Sequence, residues 1–304
     1  MVNSIVEKIS KLKKERKAVI LAHNYQRPEV QEIADFIGDS LGLSIEASKT
    51  EAKVIVFCGV YFMAETAKIL SPQKTVIIPD KDAGCPMADM ITATELRKLK
   101  DKHPYAKVLC YVNTPAEVKA ECDLCCTSAN AIEIVNRQLK DAEEIIFAPD
   151  KYLAHYVSTQ TKREFIYWDG YCPVHVGISS EDIKKKKEIY PSAEVIVHPE
   201  CSSEVIKLAD KVFSTEGMCK YAGSSDTEEL IVGTEIDLLY RLRKENPQKS
   251  FYPASEEAVC SDMKLITLQK VLWALEEIEY EVTLPQEIIV RAQESIKRMV
   301  EQSE

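Results

Sequence analysis

Glycine is scarce in this chain, nine in 304 residues. Neither G-x-G-x-x-G nor G-x-x-x-x-G-K-[ST] occurs among them, so no nucleotide cofactor is indicated. Long apolar runs are missing too. The longest candidate, Val54 to Ala64, is about half of what a membrane span requires. The N-terminus alternates Lys with apolar residues and has no cleavable apolar region, so no signal peptide is expected. Positive charge is in deficit, with 39 Lys and Arg against 49 Asp and Glu. The formal net charge of −10 argues against nucleic acid or an anionic membrane as the main partner. It leaves room for an anionic small substrate, because backbone dipoles set the local field in a cleft. Ten cysteines without a secretory context point to a reducing compartment, the cytoplasm, and to metal or redox chemistry rather than a disulfide framework.

What the chain does contain is a pattern that occurs three times. It reads His23-x-Tyr25 … Asp35-x4-Ser40, then Tyr111-x-Asn113 … Asp123-x4-Ser128, then His198-x-Glu200 … Asp210-x4-Thr215. Each copy ends in a cysteine 44 or 45 residues after its hydroxyl: Cys85, Cys172 and Cys260. Such a repeat has to be recognised before any other feature is read. Three copies of one unit can close around a pseudo-threefold axis, as identical subunits close into a ring. Equivalent positions then meet at the centre, three cysteines among three polar pairs and three hydroxyls.

The units are expected at 1–104, 105–191 and 192–304, with two closing helices near 264–278 and 286–301 packing back on the first. Each unit reads as three Val/Ile-rich strands alternating with helices: 18–22, 54–59 and 75–80; 107–112, 144–150 and a third before Cys172; 194–199, 229–234 and a third before Cys260. The fold class is therefore α/β, three repeated three-layer α/β/α units with parallel sheets and the active site at the centre. Ligands of such sheets bind beyond the carboxyl ends of the strands, where His23, Tyr111 and His198 fall.

The three cysteines, each in a polar loop, are expected to share a metal. Zinc on three thiolates needs a fourth ligand, which His175 can supply. An iron–sulfur cluster on three cysteines leaves one iron open as a Lewis acid. The spacing serves either. His23, Tyr25, Tyr111, Asn113, His198 and Glu200 offer acids, bases and hydrogen-bond donors for proton-transfer chemistry. Ser40, Ser128 and Thr215 read equally as helix N-caps and as an anion site at converging helix N-termini. Asp35, Asp123 and Asp210 read as structural. Cys122, Cys125 and Cys126 make half of a metal or dithiol motif without a matching pair, and Cys58, Cys110, Cys201 and Cys219 read as buried.

Seven ordered stretches then resemble the quinolinate synthase family: LAHNYQRPEVQEIADFIGDS (21–40), GCPMADM (84–90), YVNTPAEVKAECD with TSANA (111–131), GYCPVH (170–175), VIVHPEC (195–201), STEGM (214–218) and AVCSDM (258–263). The resemblance covers nearly the whole chain. It implies one [4Fe–4S] cluster held by Cys85, Cys172 and Cys260, and condensation of iminoaspartate with dihydroxyacetone phosphate to quinolinate, phosphate and water. It places the substrates against His23, Ser40, Tyr111, Asn113, Ser128, His198, Glu200 and Thr215. Tyr25 and Glu200 become the proton-transfer pair, aided by His198 and Tyr111. It also implies a functional link to an L-aspartate oxidase or dehydrogenase that makes the imine. Two departures stand out. ECDLCCTSAN is richer in cysteine than the family pattern, and the Cys-x-x-Cys found near the last cysteine in some members is missing. The competing classes are a hydro-lyase of the aconitase type, which also uses an open iron, and a non-catalytic iron–sulfur protein, which would not need the His/Glu/Tyr shell.

Overall fold

The computed structural model describes residues 2–301, with side chains from Ser4 onward. Among them, twelve strands form three parallel four-stranded sheets. The first contains β1 (Ala18–His23), β2 (Phe36–Gly38), β3 (Val54–Cys58) and β4 (Thr75–Ile77). The second contains β5 (Lys107–Tyr111), β6 (Leu124–Cys126), β7 (Ile145–Ala148) and β8 (Ile166–Tyr167). The third contains β9 (Glu194–Val197), β10 (Lys211–Val212), β11 (Glu229–Gly233) and β12 (Ser250–Pro253). All three share one order, β2-β1-β3-β4 and its equivalents, so the repeat seen in the sequence is a repeat of topology.

The strands follow from their composition. VIVFC is buried at every position, as a parallel sheet covered on both faces requires. In the third sheet the two faces separate by parity. Val195, Val197 and Ile231 belong to one apolar cluster, Ile196, Leu230 and Val232 to another. The first and second sheets share one continuous core.

Each unit has four strands where the sequence pattern gives three. The extra ones, β2, β6 and β10, lie at sheet edges and are only two or three residues long, too short to show a period. The repeated aspartates hold them in place. The side chains of Asp35, Asp123 and Asp210 accept the amides of Ile20, Val108 and Val195 at 2.8, 2.9 and 2.8 Å. Their own amides donate to the carbonyls of the same three residues at 2.9, 3.1 and 2.9 Å. The structural role expected of these aspartates is thus a two-bond clasp between an inner strand and its edge.

The closing helices are Leu268–Glu277 and Gln286–Glu301. The first packs on the N-terminal helix Val2–Arg16, whose Arg16 donates to the Glu276 carbonyl at 2.8 Å. The second touches both earlier units. Gln293 donates to the Ile69 carbonyl at 3.3 Å and Ser295 to the Lys119 carbonyl at 3.2 Å. Between them, residues 280–282 pair antiparallel with the outer edge of the first sheet and so cover it. No helix among the described residues is long and apolar enough to cross a membrane.

Candidate active site

In each sheet the inner strand ends at the point where the chain departs to opposite sides, so a crevice opens beyond its carboxyl end. His23 ends β1, Tyr111 ends β5, and His198 follows β9 directly. These ends meet at one cavity. All twelve residues expected at the site line it: the strand-end group His23, Tyr25, Tyr111, Asn113, His198 and Glu200, the hydroxyls of Ser40, Ser128 and Thr215, and Cys85, Cys172 and Cys260. Equivalent residues of three repeats thus converge, as a pseudo-threefold arrangement demands. No Lys or Arg is among the lining residues.

The hydroxyls are not the caps. Ser40 and Thr215 are the first residues of the helices Ser40–Lys49 and Thr215–Ser224, and the residue before each does the capping. Asp39 accepts the Gly42 amide at 2.9 Å and Ser214 the Gly217 amide at 3.2 Å. In the second repeat the helix Ala131–Arg137 begins after Asn130, and Ser128 lies in the turn before it, where Thr127 accepts the Ala129 amide at 3.2 Å. The three site hydroxyls are therefore free of that duty and open onto the cavity. Thr215 is also oriented. Asn24 donates to its Oγ1 at 2.8 Å, and Arg241 holds the Asn24 carbonyl oxygen at 2.9 Å, so the Thr215 proton is left for another acceptor.

His23 and His198 are set alike by their backbones. The Tyr25 amide donates to His23 Nδ1 at 3.2 Å, and the Glu200 amide to His198 Nδ1 at 3.4 Å. An amide can only donate, so in both rings Nδ1 is the acceptor and Nε2 carries the proton. His198 gives that proton to Ser128 Oγ at 3.1 Å. Burial pushes both imidazoles down to about 3, Lys264 adding to the effect at His23. Both rings are neutral donors.

Glu200 is the charged centre. Burial opposes its ionisation, but the His175 side chain and the Tyr111 phenol that bond it outweigh that and hold the carboxyl below the usual range. Tyr111 donates to Oε1 at 2.5 Å, and His175 Nδ1 lies 2.8 Å from Oε2. The Tyr25 and Tyr111 phenols are both raised well above 10, by burial first and by Glu200 second. Asn113 Oδ1 is a buried acceptor with no partner among the described residues, open to a substrate donor.

The cysteines sit in equivalent local structures. Each precedes a single helical turn, 88–90, 173–177 and 263–265, and its sulfur takes the amide of the residue three further on, Ala88, His175 and Met263. Burial raises all three thiols, Cys85 to about 12, Cys260 to about 11 and Cys172 well above the ordinary thiol range. Cys172, His175 and Glu200 place one donor atom each within 4.8 Å of one another, a group able to hold a metal ion. Two supports position the loops. The Cys172 loop crosses the end of β7 at Gly170, where a Cβ would stand 2.4 Å from the Pro149 carbonyl oxygen. The Cys260 loop is tied down by Lys264, which bonds Glu235 at 2.7 Å, Asp237 at 2.6 Å and the Tyr25 carbonyl at 2.5 Å.

The repeat pattern does not reveal Asn24, Thr234, Glu235 or Lys264, and it offers His175 only as a zinc ligand. Thr234 bonds Tyr25 and His175, and Glu235 lines the cavity and holds the Cys260 amide at 3.2 Å. The available signal was a polar pair ending the apolar strand in IVGTE.

Comparison with known proteins agrees with this site. The family model described as "Quinolinate synthetase A protein" matches residues 7–301. The chain is 56% identical over 296 residues to a quinolinate synthase of Dehalococcoides mccartyi, covering 97% of each chain. It is 54% identical over 301 residues to one of Thermodesulfovibrio yellowstonii, covering 99% of each. To one of Methanosarcina barkeri it is 53% identical over 296 residues, covering 97% of each. On the length and level of these matches, the chain belongs to the quinolinate synthase family.

Proposed function

We propose that this chain condenses iminoaspartate with dihydroxyacetone phosphate to give quinolinate, phosphate and water, with a [4Fe–4S] cluster on Cys85, Cys172 and Cys260. The observation that carries this reading is the meeting, in one cavity of a family member, of three equivalent thiols, three equivalent hydroxyls and an ionised carboxylate bonded to the Tyr111 phenol. Two features favour a cluster over one zinc ion on the three thiols. A tetrahedral ion with Zn–S near 2.3 Å gathers its sulfurs to within about 4 Å of one another. Among the described residues the triple whose donor atoms lie within 4.8 Å of one another is Cys172, His175 and Glu200, not the three cysteines. The amide directed at each sulfur is the type of hydrogen bond that tunes iron–sulfur clusters. When bound, the cluster supplies one iron without a cysteine ligand, a Lewis acid for an electron-rich atom of the substrate.

The chain's own residues do the rest. Carboxylates and phosphate are held by neutral donors: the hydroxyls of Ser40, Ser128 and Thr215, the imidazole Nε2 proton of His23 and the Asn113 amide, with His198 orienting Ser128. Helix N-termini at Ser40 and Thr215 supply the positive field that the missing Lys and Arg do not. Glu200 is the base, its charge kept by the donors around it. Tyr111 and Tyr25, both held protonated by burial, give protons back as carbonyl oxygens leave and the ring closes. The imine comes from an enzyme that removes two electrons from L-aspartate, an oxidase or a dehydrogenase. Ten free cysteines suit a reducing compartment such as the cytoplasm.

The test is iron and sulfide content on protein purified without oxygen, followed by assay. About four irons and four sulfides per chain are expected, lost in Cys172→Ser. Quinolinate and phosphate should form only when both substrates are present. One zinc without sulfide would sink the cluster, and dehydration without triose phosphate would make this a hydro-lyase.

A further inference from the structure

Cys110, Cys122 and Cys125 of the second unit do not line the central cavity, and they gather on one face of its sheet. Cys110 on β5 and Cys125 on β6 are register partners on neighbouring parallel strands, so their side chains leave the sheet on the same side. Cys125 is buried, its thiol on Ser295 Oγ of the last helix at 3.5 Å. Cys122 stands between the short helix Ala116–Lys119 and β6. Its amide bonds the Lys119 carbonyl at 3.2 Å, and its thiol donates to the Val118 carbonyl at 3.0 Å. Its side chain also bonds that of Cys110. Cys110 is buried and Cys122 half-buried, so Cys122 is the one a solute can reach.

A buried cation completes the group. The Lys119 ammonium bonds the Thr114 carbonyl, lies 5.3 Å from the Phe62 ring centroid, and acts on Cys110, Cys122 and Cys125 alike. A positive charge beside a thiol favours the thiolate. The Thr114 hydroxyl lies 3.6 Å from Cys110 Sγ. The contact with Cys122 first, then Thr114 and Lys119, bring the Cys110 thiol below its ordinary value against the effect of burial. Burial first, and Cys110 second, push Cys122 the other way. The enclosed thiol is the better nucleophile, and the reachable one lies against it.

We propose that Cys110 and Cys122 form a redox-active dithiol, separate from the three cavity cysteines, which a small-molecule disulfide converts to a bridge within the folded chain. Cys122 attacks one sulfur of the small disulfide, and the first small thiol leaves with the Cys122 proton. The Cys110 thiolate then attacks the Cys122 sulfur, the mixed disulfide breaks, and the second small thiol leaves with the Cys110 proton. Two electrons pass from the protein sulfurs to the small disulfide. The new bond draws the sulfurs to about 2.05 Å. Both of its ends lead to the cavity. Cys110 directly precedes Tyr111, and Lys119, three residues before Cys122, holds the carbonyl of Thr114, the residue after Asn113. The bridged form therefore shifts Tyr111 and Asn113 and turns over more slowly.

The test treats holoenzyme with oxidised glutathione in the absence of oxygen and then alkylates the remaining free thiols. Trypsin, cutting after Lys107 and Lys119, and a protease that cuts before Asp123 separate Cys122 from Cys125 and Cys126. Fragment 108–119 joined to fragment 120–122 is expected, at unchanged iron per chain and reversibly with dithiothreitol. Cys125→Ser should bridge as wild type does, and Cys122→Ser should not. A bridge to fragment 123–137, glutathione that stays on Cys122, no bridge, or a bridge only in chains that have lost iron would overturn the proposal. Only the activity arm rests on the quinolinate reading. Bridged enzyme should lose at least about tenfold in kcat, within the cost of a displacement of ~1 Å at reacting groups. Dithiothreitol should restore the rate, and Cys122→Ser should keep its rate under glutathione. Equal rates in bridged and reduced enzyme would overturn the link to the cavity. Reduced enzyme that makes no quinolinate would instead sink the functional reading, and the peptide result would still decide the dithiol.

Discussion

Tyr111 and Glu200, contributed by different repeats, are joined by a 2.5 Å hydrogen bond inside the cavity. Its donor is a phenol that burial keeps protonated, and its acceptor a carboxyl that its neighbours keep ionised. The pair therefore holds an acid and a base side by side without proton transfer between them in the resting state. Glu200→Gln preserves the shape and removes the base, so kcat should fall by about 10²–10⁴ in a steady-state quinolinate assay. Tyr111→Phe in the Glu200→Gln background should add little, since the two act as one unit. A Gln variant within about threefold of wild type, at full iron content, would remove Glu200 from the chemistry.

Capping and binding are divided between adjacent residues, and the division can be measured. Ser214 caps its helix while Thr215 faces the cavity. Ser214→Ala should cost about 1 kcal/mol of stability and lower the melting temperature by about 2 °C. Thr215→Val, Ser40→Ala and Ser128→Ala should leave the melting temperature nearly unchanged. Each should raise KM for a substrate by about tenfold, the scale of a hydrogen bond to a charged group. If the Thr215 and Ser214 variants traded these effects, the assignment of cap and site would be reversed.

That division was invisible in the sequence, where Ser40, Ser128 and Thr215 look like caps as much as ligands. The repeat did bring the twelve lining residues to one place, because like residues recur at like positions and parallel sheets put strand ends together. Where the repeats diverge in chemistry, the pattern says nothing. The register equates Cys58, Ala148 and Gly233 at the ends of β3, β7 and β11, so the next residues, Gly59, Pro149 and Thr234, are equivalent in place and share no chemistry. The repeat therefore could not show Thr234, whose one signal was the polar pair that ends IVGTE. The edge strands escaped for a different reason, since their two or three residues are set by a tertiary clasp to Asp35, Asp123 and Asp210 rather than by local preference.

Gly170 ties the fold to the metal loop. A methyl group there would stand 2.4 Å from the Pro149 carbonyl oxygen, so Gly170→Ala must push the Cys172 loop off β7. A loss of about 2 kcal/mol or more in stability is expected, with iron per chain reduced in protein purified without oxygen. Gly177 is the control: a Cβ there meets nothing within 4 Å, so Gly177→Ala should keep its iron. Equal iron in both variants would mean that the loop does not depend on this contact.

Glu65 makes stability depend on pH away from the site. It lies where the helix Tyr61–Leu70 meets the second repeat, and its Oε2 accepts the Ala116 amide at 3.1 Å. Burial pushes its carboxyl up to about 7, with Glu117 adding to the rise, while Lys119 and the Ala116 amide oppose it. Below pH 4.5, its ordinary value, the group is protonated whether the chain is folded or not. As pH rises from there to 7, the unfolded chain releases its proton first, so the folded state loses stability, roughly 3 kcal/mol in all. Glutamine mimics the protonated form and cannot titrate. Urea unfolding of wild type and Glu65→Gln at steps from pH 5 to 8 should show their difference in stability shifting in favour of the variant up to about pH 7 and levelling off above it. Parallel curves across that range would mean that Glu65 titrates alike in both states, and that the contact between the first and second repeats carries no proton.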